Sequence, residues 1–309
     1  MKNISSSLKP YLRWAILGGT LFFLAKAFKE HWREVAAIRI DVVGWLILFI
    51  AFCITLIAHI WAGLVWGWIL KSFNQPIQYS WVIQVYLKTN LAKYIPGNVW
   101  HYYGRLWAVT QAGGSLGAAT ISVLLEPLLM AAAALLIALI GSQLGWVNTL
   151  GNTWTWGLQI LSLSVVLLAV HPRVLNPVLQ LLSRLKGKAA DTEIFQIKRY
   201  PFLPLLGEVG FLALRSSGFL ITFLVLTTVN MSQILPLLSA FSLAWVLGLV
   251  IPTPGGLGVF ETTAIALLNQ YFPIGVILGV VALFRLVSIL AEVCGAFLAI
   301  LCDRSSKTY

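Results

Sequence analysis

Glu208 and Arg215 stand seven residues apart in one apolar run, and Arg285 and Glu292 repeat that spacing in reverse order in another. Seven residues make about two helical turns, so each pair shares one face of its helix. An ionisable side chain in such a run costs several kcal/mol unless it is paired or hydrated. Two chemistries fit. One is an interhelical ion cluster that only fixes packing, with Glu208 and Glu292 as charge partners of Arg215 and Arg285. The other is a polar cavity whose two guanidiniums hold an anion, and arginine suits phosphate through its bidentate geometry.

The string Pro252-Thr-Pro-Gly-Gly-Leu-Gly-Val-Phe-Glu261 is the most specific in the chain. Helix-breaking positions in succession free backbone N–H groups, and a helix that follows adds its positive end. Gly255, Gly256 and Gly258 are therefore candidate anion binders. Glu261 has two readings, a cap on free N–H groups or a part in transport. A second Pro-Gly step opens Pro96-Gly97-Asn98-Val99-Trp100-His101, with Arg105 and Glu126 downstream. His101 fits a ligand, a proton carrier or an interfacial hydrogen-bonder. No nucleophile–base–orienter set stands out, and HExxH spacing is absent. Cys53, Cys294 and Cys302 form no CxxC pair. No metal or cofactor is expected, and catalysis is not favoured.

The elements that must position these groups belong in a bilayer. Of 309 residues, 59% are hydrophobic and 10% charged, with a mean hydropathy of +0.89; soluble domains carry about 25% charged residues. Residues 127–172 and 216–260 contain no Asp, Glu, Lys or Arg. Apolar runs over 14–25, 42–70, 118–140, 154–170, 202–229 and 274–301 read as six crossing helices. The regions 81–110 and 234–272 each centre on a Pro-Gly break and read as re-entrant hairpins. Glu126 follows Pro96 by 30 residues and Arg285 follows Pro254 by 31. The expected fold is an all-α polytopic membrane protein, one transmembrane domain over 1–309, with an inverted repeat of 42–141 and 202–301. Such repeats are a transporter architecture. The basic segment 172–200 reads as a cytoplasmic linker whose residues 174–186 lie on the headgroups, and both termini read as cytoplasmic. The net charge of +11 fits such loops and excludes nucleic acid as a partner, since no polar segment is large enough to carry a basic groove.

PTPGGLGVFE, the earlier Pro-Gly segment and the Glu126 span resemble the transmembrane domain of lysylphosphatidylglycerol synthases. The resemblance implies a bacterial plasma membrane protein that flips a lipid between leaflets. Its partners would be membrane lipids, an anionic phospholipid above all, and a homo-oligomer is compatible with it. The family's amino-acid transfer belongs to a soluble domain after the membrane part, so a stand-alone member without that activity is expected. Two positions depart from the family pattern: Asn98-Val99-Trp100-His101 replaces a Gly and acidic string, and Pro127 follows Glu126 where Arg is usual. The rival classes are an intramembrane enzyme acting on a lipid headgroup and a non-transporting scaffold.

Overall fold

The computed structural model describes residues 39–94, 99–143, 153–177, 197, 199–251 and 258–306. The expected first helix, the two Pro-Gly steps, Gly255, Gly256 and nearly all of the basic linker lie outside them. Nine α-helices can be named among the described residues: α1 (Val42–Ser72), α2 (Tyr79–Asn90), α3 (Trp100–Gln111), α4 (Leu116–Gln143), α5 (Thr153–Val170), α6 (Phe202–Leu226), α7 (Met231–Val250), α8 (Val259–Leu268) and α9 (Ile274–Ser306). A 3₁₀ turn, Leu91–Tyr94, extends α2.

Among the described residues, five helices are long and apolar enough to cross a membrane: α1, α4, α6, α7 and α9. The protein is an all-helical, multi-pass integral membrane protein. Its outer faces suit lipid, because Trp45, Phe49, Leu161 and Phe297 are each about 60% exposed where water would penalise them. One element departs from expectation. The sequence predicts two half-helices in 234–272; α7 and α8 stand before and after residues 252–257, but with unequal lengths of 20 and 10 residues. Pro236 lies within its first two turns, close to where proline is tolerated, so the helix starts before the apolar run does.

The centre is the contact of α1 with α6. Gly44 lies beside Val225, Gly218 beside Thr55, and Gly207 beside Val65, so the two helices run antiparallel. Small residues let the backbones approach. A Cβ on Gly207 would sit 2.6 Å from Val65 and 2.8 Å from Trp68. The Trp61 indole N–H donates to the Gly207 carbonyl at 2.8 Å, across the same seam.

The remaining helices pack in corresponding sets. α2 lies on α1 and α9, while α7 lies on α6 and α4; α1 meets α9, while α6 meets α4. The short helices follow the same rule: α3 lies on α2 and α4, and α8 on α7 and α9. Across the first break, a Cβ on Gly104 would lie 2.9 Å from Thr89, so α3 folds back on α2. Phe219, Phe241, Phe260 and Phe284 form an aromatic core between α6, α7, α8 and α9, with ring centroids 5.3–5.8 Å apart.

Candidate functional site

The two halves enclose a cavity of about 250 Å³. Its walls come from α1, α2, α3 and α4 on one side and α6, α7, α8 and α9 on the other. Of the residues singled out from sequence, Arg215, Arg285, Glu126, His101, Arg105 and Glu292 line it.

Arg105 and Glu126 form an ion pair, with side chains only 2% and 4% exposed. The Arg105 guanidinium also stacks 3.8 Å above the Tyr86 ring and 5.5 Å from Trp66. Trp66 is fixed in turn by its indole N–H, which donates to the Ser122 hydroxyl at 3.1 Å. Burial, a counter-charge and two aromatic faces together hold this cation still.

Arg285 pairs with Glu261; their side chains are 28% and 5% exposed. The other Glu261 oxygen accepts the Gly258 N–H at 2.7 Å. Gly258 sits at φ 82°, a conformation glycine adopts without steric cost, and this puts Glu261 where it closes the first turn of α8. Glu261 thus caps the helix and binds Arg285 at once. The Gly258 amide, expected to be open to an anion, is used within the chain. Among the three glycines it is the only described one.

Arg215 differs from both. It is 4% exposed, its Nη1 donates to the Ser288 hydroxyl at 3.2 Å, and it meets no carboxylate among the described residues. Its guanidinium lies 5.1 Å from the Trp245 ring and 4.8 Å from Phe284. Its Nε has no hydrogen-bond partner.

The expected acid partners lie elsewhere. Glu292 pairs with Lys93, and His59 Nε2 approaches the same oxygen at 3.3 Å. Glu208 is fully buried, and neither of its oxygens has a partner; it does not line the cavity. Seven residues along a helix are about 10.5 Å apart along its axis. Residues at that spacing meet neighbours at different levels, and the expected interhelical ion pairs of Glu208 and Glu292 with Arg215 and Arg285 are absent among the described residues. His101 is 7% exposed, with its ring 3.8 Å from that of Tyr102 and its Nδ1 unpartnered. The side chain is thus buried within the protein, at the cavity wall.

Lys93, Asn90, Tyr94, Trp245 and Ser288 also face the cavity and were not singled out from sequence. Lys93 carried a signal, being a lysine three residues before Pro96. The aromatic and hydroxyl residues carried none.

The family model described as "Lysylphosphatidylglycerol synthase TM region" matches residues 12–294. The chain belongs to this family. The lysylphosphatidylglycerol synthase membrane region thus covers both halves and every cavity residue named above, in agreement with the resemblance read from PTPGGLGVFE. No curated protein matches the chain.

Proposed function

We propose that this family member moves a phosphate-bearing lipid between leaflets, with its headgroup held in the cavity at Arg215 and Arg285. The observation that carries the reading is Arg215. A guanidinium at 4% exposure with no carboxylate in contact among the described residues costs several kcal/mol in an apolar setting, and the cavity it faces is where a compensating anion can enter. Phosphate is the anion a bilayer supplies most readily. A volume of about 250 Å³ lies just under the roughly 300–1,000 Å³ of ligand pockets. A headgroup fits in that space while the acyl chains stay in lipid. Tight packing with every charge paired would have suited a scaffold; the cavity and Arg215 speak against it.

The same proposal includes six crossings and two re-entrant hairpins in inverted repeat, in the bacterial plasma membrane with both termini cytoplasmic. The antiparallel run of α1 and α6, the corresponding packing of the two halves and the return of α3 onto α2 support the repeat. Cysteines at Ser72 and Gln111 should label from one side of the membrane, and those at Asn230 and Asn269 from the other. Opposite labelling within either pair would remove the hairpin it flanks.

The transport reading is tested in vesicles. Purified protein should accelerate transbilayer movement of fluorescent phosphatidylglycerol, and folded Arg215→Gln should depress that rate about tenfold or more. A folded variant moving lipid at the wild-type rate would reject Arg215 as the anion site.

A further inference from the structure

We infer that the transported lipid carries phosphate but no ammonium in its headgroup, so that lysylphosphatidylglycerol itself is a poor substrate for this family member. The inference rests on the proposed transport function and narrows it.

The argument is a charge inventory. Lys93, Arg105, Arg215 and Arg285 line the cavity. Glu126 answers Arg105, Glu292 answers Lys93, and Glu261 answers Arg285 from behind the wall. Arg215 remains as the cation with no ion-pair contact among the described residues; Glu292 acts on it only from a distance and is already bound to Lys93, so the cavity carries one more positive than negative charge and invites an anionic group.

An incoming ammonium needs a carboxylate or an aromatic face. Among the described residues, every carboxylate that lines the cavity is already paired with a cation. Among the described carboxylates, Asp41 accepts the Gly44 N–H and Asp303 pairs with Lys88, both away from the cavity. Glu208 is fully buried and off the cavity. The second oxygen of Glu292 is unpartnered, but it too is buried. Four of the cavity's aromatic faces already carry a cation: Arg215 sits over Trp245 and Phe284, Arg105 over Tyr86, and Lys93 over Tyr94; of the others, Tyr102 lies against His101, Phe211 against Trp245, and Phe260 against Phe219 and Phe241. What remains for the rest of the headgroup is neutral, namely Asn90 and the unpartnered Nδ1 of His101. These suit hydroxyls. A lysyl head would bring two ammonium groups beside an already cationic wall, and like-charge juxtaposition discriminates strongly between partners.

The test uses the purified full chain with acyl-labelled phosphatidylglycerol and acyl-labelled lysylphosphatidylglycerol. One arm reads movement in vesicles of neutral lipid; the other reads thermal stabilisation in detergent by each lipid and by inorganic phosphate. Phosphatidylglycerol should move about tenfold faster or more and stabilise more. Lysylphosphatidylglycerol moving and stabilising equally well would overturn the inference and leave the transport function standing. Failure of both lipids to move, with selective stabilisation by phosphatidylglycerol, would sink transport and leave the charge selectivity standing. Inorganic phosphate stabilising as well as phosphatidylglycerol would reassign the cavity to a free anion and overturn the lipid claim. A second variant tests the mechanism by gain: Lys93→Gln releases the Glu292 carboxylate, so lysylphosphatidylglycerol should gain about tenfold relative to phosphatidylglycerol. An unchanged ratio in the folded variant counts against it.

Discussion

Arg105–Glu126 and Arg285–Glu261 tie corresponding helices together, α3 to α4 and α8 to α9, yet their polarity is exchanged. In the first half the short helix brings the cation and the long one the acid. In the second half the short helix brings the acid. The halves therefore share a contact rather than a residue type. The environments also differ. Arg105 is enclosed, at 2% side-chain exposure beneath Tyr86, whereas Arg285 keeps 28%. The acid of the second pair has a further duty at the Gly258 amide. The comparison teaches that one joint is sealed and serves as structure, while the other opens onto the space beside Arg215 and can take part in binding.

Three substitutions sharpen that contrast. Glu126→Gln should have the largest effect, because it leaves Arg105 buried without its counter-charge; a loss of about 3–5 kcal/mol should read as a large fall in melting temperature or as failure to purify folded. Glu261→Gln should cost less, about 1 kcal/mol, since Arg285 stays open to the cavity and the amide oxygen still accepts the Gly258 N–H. Equal losses in the two variants would break the distinction between sealed and open joints. Glu208→Gln should change stability least, by less than about 1 kcal/mol, because the carboxyl has no partner to lose. A loss on the scale of Glu126→Gln would mean that Glu208 has a charge partner after all.

The broad fold was legible because apolar length is a local property: the runs at 42–70, 118–140, 202–229 and 274–301 each became one helix. The closely matched spacing from each Pro-Gly step to Glu126 and to Arg285, 30 and 31 residues, marked the long-helix member of each joint. The partners were not legible. Arg105 and Glu126 are 21 residues apart and Glu261 and Arg285 are 24, across turns whose geometry decides the contact. Pairing by shared face linked Arg285 with Glu292, while Lys93 holds Glu292 from 199 residues away. Trp245 and Phe284 gave no sign of their place around Arg215, because an aromatic in a span is ordinary core until the helices are assembled.

The central claim, that Arg215 holds a lipid phosphate, is tested most directly by a density map of the protein in phosphatidylglycerol-containing nanodiscs. The account predicts headgroup density within hydrogen-bond reach of the Arg215 guanidinium, about 2.7–3.2 Å from phosphate oxygen, on the side facing Arg285. A cavity holding only water or acyl chain, with Arg215 turned onto Glu292, would contradict it.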